Sequence, residues 1–216
     1  MESMKSEYSQ GNVELVKAAR NGDESALAVL VERHRNRLER MVRLRMDRRL
    51  RGRVDPADVV QETYLAVRSK CLQDRADPRL PFFLWLRLEV GQKLAEAHRF
   101  HLGTKMRCAG QEVALHHGAL PEVTSASLAE QLLGKLTSAS NAAMRVELRI
   151  HVQEALNSLD SFDREVLILR HFEELSNAEA AQVLGIKPSA AVNRHVRALR
   201  RLKHVLQNMP GGIEGI

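Results

Sequence analysis

The 216 residues predict an all-α protein of two helical domains joined by a flexible linker. Three observations carry that reading. Aromatics make up only 4% of the chain, and the 44% apolar share is mostly Ala, Val and Leu, which favours helix–helix packing over a sandwich or barrel. Apolar residues recur at helical spacing in nearly every segment, without the alternation of a strand. Residues 101–141 are rich in Gly, Ser, Ala and Thr and weakly periodic. A stretch of that length is uncommon inside one compact domain, so it reads as a boundary.

The elements follow in order. In "NGDESALAVLVERHRNRLERMVRLRMDRRL" Asp23 is placed to cap a helix. Apolar residues at 26, 27, 30, 31, 38, 41 and 42 keep its inward face. In "VDPADVVQETYLAVRSK" Asp55 caps the next helix and Pro56 suits its first position. Val59, Val60, Tyr64 and Val67 form its inward stripe. "DPRLPFFLWLRLEVGQKLAEAHRF" holds a third helix, entered from Pro81. Inside the linker one short helix is expected near "SLAEQLLGKL", capped by Ser127. "AAMRVELRIHVQEALNSL" and "SFDREVLILRHF" continue the helical pattern up to "LSNAEAAQVLGIKPSAAVNRHVRALRRLK".

That last stretch is the most informative. Ser176 and Glu179 form a capping box, in which hydroxyl and carboxylate each satisfy a free backbone N–H. The helix it opens should run over 177–184 and end at Gly185, a residue at ease in the left-handed conformation. Ile186 ties the turn to the core, and Pro188 opens a second helix with Lys187 or Ser189 as its cap. A helical wheel gathers Val192, His195, Val196, Leu199, Leu202 and Leu206 on one side, read as the packing face. Ala190, Asn193, Arg194, Arg197 and Arg201 gather opposite, read as the open face. Two helices joined by a short glycine-containing turn, the second cationic, are the signature of a DNA-binding helix-turn-helix. Arg can be bidentate to guanine and Asn to adenine, while arginines further along meet phosphates.

Charge agrees with a polyanionic partner: the formal net charge is +6. Ten arginines against two acids fall between positions 33 and 53, a density that invites phosphates or a partner. Cys71 and Cys108 make no disulfide framework, which suits a reducing cytoplasm. The first residues lack the apolar stretch of a signal peptide, and no run reaches the roughly 20 apolar residues a membrane span needs. No phosphate-binding glycine loop, dinucleotide fingerprint or H-E-x-x-H is present. His98, His101, Cys108, His116 and His117 have no spacing typical of a structural zinc site. No catalytic residue, cofactor or metal is therefore expected.

"LDSFDREVLILRHFEELSNAEAAQVLGI" with "NRHVRALRRLK" resembles the promoter-reading domain four of bacterial sigma factors. "DPADVVQETYLAV" resembles their region two, and "FFLWLRLEVGQKLAEAHRFH" the neighbouring helix that reads the minus-ten element. With only these two domains the chain looks like a member of the extracytoplasmic-function (ECF) group of the sigma-70 family. The resemblance implies a sigma domain 2 over 11–100, a linker over 101–141 and a sigma domain 4 over 142–207. It implies docking of Asp58, Gln61, Glu62 and Leu65 on the β′ clamp helices of core RNA polymerase, with the β flap as a second contact. Minus-ten contacts would come from Phe82, Gln92, Lys93, Glu96, Arg99 and His101, with Trp85 assigned to the core. Minus-thirty-five contacts would come from Lys187, Ser189, Ala190, Asn193, Arg194, Arg197 and Arg201. The family pattern is kept at Arg194, Arg197 and Ala198 and departs at Ala190, Val192, Gln92 and Glu96. Small sigma factors commonly wait on an anti-sigma partner, which joins polymerase and promoter DNA among the expected partners. A phosphate on Thr63 would add negative charge to the polymerase-binding helix. The rival readings are a stand-alone helix-turn-helix regulator, which would need a dimerisation element, and an enzyme with a helical metal site.

Overall fold

The computed structural model describes residues 13–72, 80–102, 120, 121, 123–136 and 142–207. The chain divides into two compact units, Met1–Ala109 and Gly110–Ile216, and every regular element among the described residues is helical. The N-terminal dozen residues, most of the expected linker, Cys108, His116, His117 and the C-terminal "MPGGIEGI" lie outside the described residues.

The first unit holds α1 (13–20), α2 (Glu24–Arg45), α3 (Pro56–Leu72) and α4 (Phe82–Leu102). Asp23 caps α2 by accepting from the backbone N–H groups of Ser25 and Ala26 at 2.9 and 3.0 Å. All seven apolar positions read from the α2 pattern are buried. Each buried Leu or Val adds about 1.5–3 kcal/mol of transfer free energy. The helix stops earlier than its pattern, at Arg45. Met46 turns extended, and Asp47 starts a separate 3-10 turn, Arg48–Leu50, by accepting from Arg49 N–H at 2.9 Å. A carboxylate next to two exposed arginines offers the backbone an acceptor that the helix interior cannot match.

Asp55 caps α3 through Ala57 N–H at 2.8 Å. Val59, Val60 and Val67 are buried as expected, but Tyr64 is only half-buried and Thr63 takes its place inside. The Thr63 hydroxyl donates to the Val59 carbonyl at 2.7 Å, which allows a polar residue on the inward stripe. Thr63 is thus among the buried polar residues of the first unit, 2% exposed. Pro81 precedes α4, its carbonyl accepting from Trp85 N–H at 3.0 Å. Through its first ten residues α4 is buried all round, charged Arg87 and Glu89 included. Lys70 of α3 reaches the Glu89 carboxylate, and Arg68 pairs with Glu24 of α2 at 2.7 Å.

The second unit holds α5 (Ser125–Leu136), α6 (Ala142–Asn157), α7 (Ser161–His171), α8 (Asn177–Leu184) and α9 (Pro188–Gln207). Helix α5 occupies part of the range read as linker, and it packs along α6. Its cap is Thr124, not Ser127. The Thr124 hydroxyl oxygen accepts from Ser127 N–H at 3.2 Å, and Ser127 is buried one turn inside the helix. Asp160 caps α7 through Asp163 N–H at 2.8 Å. The capping box of α8 is complete: Ser176 N–H to Glu179 at 2.7 Å, and Glu179 N–H to the Ser176 oxygen at 3.2 Å. Gly185 ends α8 at φ 65°, and Ile186 N–H closes back on the Ala181 carbonyl at 3.0 Å.

A Cβ added at Gly185 would meet nothing within 4 Å, so a substitution there is opposed by backbone conformation alone. Gly185→Ala should lower the stability of the second unit by about 1–2 kcal/mol, and Gly185→Asn by less, because Asn tolerates the left-handed region. Urea denaturation followed by circular dichroism measures both.

Candidate nucleic-acid interface

Helices α8 and α9 are joined by three residues, and α9 packs on α6, α7 and α8. What faces inward differs from the sequence wheel. Among the described side chains of α9 the buried ones are Ala191 and Ala198, with Arg194, His195 and Leu202 half-buried beside them. Val192, Val196 and Leu199, expected to pack, are exposed at 37%, 38% and 38%. Leu206 has no described side chain.

The physical reason is a carboxylate. Asp163 of α7 is 0% exposed. Its Oδ1 accepts from Arg194 Nη1 at 3.2 Å and from Arg197 Nη2 at 3.1 Å, and its Oδ2 accepts from Arg197 Nε at 3.3 Å. Arg194 also lies over the Phe162 ring, 5.2 Å from its centroid, and 4.0 Å from Asp160. An ionised carboxylate taken from water must be paired, and a planar guanidinium fork pairs it best. These arginines therefore rotate α9 so that its alanines face the core. Arg194, half-buried, is thereby drawn off the open face expected for it, while Arg197 stays exposed there, its side chain 59% open, even as it binds Asp163. Ala190 is half-buried.

At 100° per residue, the outward line of α9 runs through Ser189, Asn193, Val196 and Arg200. All four are exposed, as are Lys187 and Arg201. The sequence reading missed Val196 and Arg200. Their signal was the arginine spacing: Arg194 and Arg197, three apart, match one carboxylate on a neighbouring helix.

In the first unit, Asp58, Gln61, Glu62 and Leu65 are all exposed and fall on one stripe of α3. Gln92, Glu96 and Arg99 line one exposed stripe of α4, with Lys93 beside them and held by Glu96 at 2.7 Å. Phe82 does not join them. It is buried against Trp85, ring centroids 5.6 Å apart, at the opposite end of the helix. The exposed aromatic is Phe100, at 83%, edge-on to His101 with centroids 4.9 Å apart. Sequence reasoning passed over Phe100, although it lies off the Leu94–His98 inward stripe. An open cleft of about 360 Å³ brings Asp58 and Glu62 of α3 together with Arg53, Lys93, Phe100 and His101.

The dense arginines divide between fold and surface. Arg45 is buried, and Arg37 lies over the Phe83 ring, 3.7 Å from its centroid. Arg35 pairs with Glu32 at 2.7 Å, and Arg49 with Asp47 at 2.9 Å. The Arg49 side chain and its backbone N–H hold the Asp47 carboxyl down to about 2. Arg43, Arg51 and Arg53 line a second open cleft, of about 460 Å³, around Gly52 at φ 92°. Among the described residues no three His, Cys, Asp or Glu side chains are grouped to hold a metal, and no helix is long and apolar enough to cross a membrane. Cys71 is free and buried, and burial pushes its thiol up.

The family description "Sigma-70, region 4" matches residues 149–202, which span α7, α8 and most of α9. The chain is 31% identical over 182 residues to "ECF RNA polymerase sigma factor SigD" of Mycobacterium tuberculosis, covering 84% of this chain and 77% of that protein. This chain belongs to the ECF sigma factors. It is also 30% identical over 195 residues to "RNA polymerase sigma factor CnrH" of Cupriavidus metallidurans, covering 89% of this chain and 92% of the relative. The solved "Structure of CnrH in complex with the cytosolic domain of CnrY" is 26% identical, with a TM-score of 0.49 over 89% of this chain and 94% of that one. Sigma factors are non-enzymatic regulators that work with RNA polymerase and promoter DNA. In this ECF sigma factor the region-four match therefore falls on the helices organised by Asp163.

Asp163→Ala should destabilise the second unit by about 2–3 kcal/mol through lost charged hydrogen bonds. Arg200→Ala, an outward change, should stay within about 0.5 kcal/mol. Urea midpoints of the two variants compare them directly.

One imidazole in each unit is held low. His195 Nε2 lies 2.8 Å from His171 Nε2, a bond that needs one of the two nitrogens unprotonated. Burial first, then His171 and Arg170, lowers the His195 pKa. His98 Nε2 accepts from Asp47 N–H at 3.3 Å, and burial is the main cause of its lowered pKa, Asp47 opposing and Arg49 adding. The unfolded chain thus binds more protons below the ordinary histidine value of about 6.5. This contribution to stability is complete above that value and is lost as pH falls from it through the folded-state values. Urea midpoints should drop between pH 7.5 and 5.5, and His195→Gln should flatten part of that drop.

Proposed function

We propose that this chain docks on core RNA polymerase and directs initiation at promoters bearing a minus-ten and a minus-thirty-five element. The α3 stripe of Asp58, Gln61, Glu62 and Leu65 meets the β′ clamp helices, its carboxylates and amide facing basic and polar groups. Gln92, Lys93, Glu96, Arg99 and His101, joined by Phe100, meet the opened minus-ten strand, where an exposed ring beside cations suits unstacked bases. The domain over 142–207 docks on the β flap and carries α9 into the major groove at minus-thirty-five. Lys187, Ser189, Asn193, Val196 and Arg200 face the duplex there, Arg201 meets phosphate, and Arg194 and Arg197 act by holding the helix. Residues 11–100 form the other promoter-binding domain, and 101–141 run between the two.

The observation that carries this reading is the outward line of α9, which displays amide, hydroxyl and guanidinium groups in a helix without a single acid. No cofactor or catalytic group enters the mechanism, and the work takes place in the cytoplasm with the polymerase and its template. An anti-sigma partner holds such a chain in check by covering the α3 and α9 faces, where exposed Leu65 and Val196 give it apolar grip.

In vitro transcription with core polymerase on genomic fragments tests the proposal. The chain should yield discrete transcripts, and Glu62→Lys should cut them at least about tenfold with helical content unchanged, the scale of a reversed charge in a polar contact. Wild-type output from Glu62→Lys removes α3 from the contact, and no transcript from any fragment overturns the proposal.

A further inference from the structure

The most unusual surface of the second unit is the apolar part of the outward helix. Val192, Val196 and Leu199 stand exposed at 37–38%, although α9 carries five arginines and lysines and no acid. The cations best suited to grasp guanine, Arg194 and Arg197, both spend their guanidinium hydrogen bonds on Asp163 at 3.1–3.3 Å, Arg194 half-buried and Arg197 exposed at the flank of the helix. The first two turns are left with Ser189, Val192, Asn193 and Val196 facing out, one hydroxyl, one amide and two isopropyl groups.

Each type of base pair offers a different edge in the major groove. Thymine alone carries a C5-methyl group, and adenine matches an Asn amide through N6 and N7. An isopropyl group has nothing to offer guanine or cytosine, but it shields a methyl group from water. Val192 and Val196 are one turn apart, about 6 Å along the axis, and successive bases on one strand are about 3.4 Å apart. The two side chains therefore span roughly two base steps, with Asn193 between them.

We infer that α9 reads A·T pairs by packing Val192 and Val196 against thymine methyl groups, with Asn193 on a neighbouring adenine. This rests on the proposed minus-thirty-five role of α9. The acid-free cationic flanks select a polyanion as the occupant of this stripe over an apolar helix of a protein.

Deoxyuridine in place of thymidine removes the methyl group and leaves the pairing edge intact, so it isolates the contact. The probe is a duplex carrying a promoter from which the holoenzyme starts transcription, its upstream thymidines replaced one at a time. Holoenzyme affinity by fluorescence anisotropy should fall about three- to tenfold at one or two positions, the scale of one buried methyl group. Val196→Ala lies outside the core. It should weaken binding to the thymidine duplex by a similar factor and lose its sensitivity to deoxyuridine at one of those positions. Affinity unchanged by every replacement overturns the inference while leaving the sigma role standing. So does a Val196→Ala variant that binds DNA normally but loses a protein partner. A wild-type chain that starts no transcript overturns the proposed function and this inference with it.

Discussion

A carboxylate closed off from water decides how the second unit is built. The buried Asp163 carboxylate needs hydrogen-bond partners, and α9 supplies two guanidinium groups one turn apart. Meeting that demand sets the rotation of α9 about its own axis. The rotation turns Ala191 and Ala198 toward the core and Ser189, Asn193, Val196 and Arg200 toward solvent. The capping box of α8 and the left-handed Gly185 fix where the turn falls, and the ion pair fixes what the helix after it presents. An electrostatic requirement inside the fold thus selects the chemistry available outside it.

The first unit solves a related problem with different means. Ten arginines in 21 positions would repel one another on a bare surface. The structure spreads them among a ring face at Phe83, acids at Glu32 and Asp47, a buried position at Arg45 and an open cleft lined by Arg43, Arg51 and Arg53. The last group lines one open cleft together. Two charged helix faces share a cleft at the far end of α4, so Asp58 and Glu62 lie close to Phe100 and His101. Under the proposed function, a protein partner on α3 and a nucleic-acid strand on α4 would be neighbours there.

Much of this was legible in the residues. Local capping chemistry is written in a few adjacent positions, and Asp23, Asp55, Ser176 with Glu179, and Gly185 all do what their types and spacing imply. The inward face of α2 was legible because its apolar residues are large and regularly spaced. The inward face of α9 was not. Its core contacts are alanines and an arginine pair, and a wheel weighted by hydrophobicity assigns valine and leucine to the inside. The same weighting placed Tyr64 on the inward stripe and left Thr63 off it. A hydroxyl satisfied by its own helix, as Thr63 is at the Val59 carbonyl, carries no mark of that in sequence. Phe82 was placed at the surface and Phe100 passed over for a similar reason: an aromatic side chain suits a core and a stacking surface equally, and only the packing of neighbours separates the two.

The two buried alanines of α9 have a consequence for how such a protein changes over generations. Ala191 and Ala198 leave no bulk between α9 and its neighbours, so the axis of the helix lies close against the core whatever the outer side chains are. Residues that hold the element in position and residues that face solvent are largely separate sets. Exchange of one outer residue for another leaves the fold's stability almost untouched, so that under the proposed role preference for a new DNA sequence would drift by single steps through variants that all still fold. Enlarging either alanine would instead displace the whole helix and disturb every contact in one stroke.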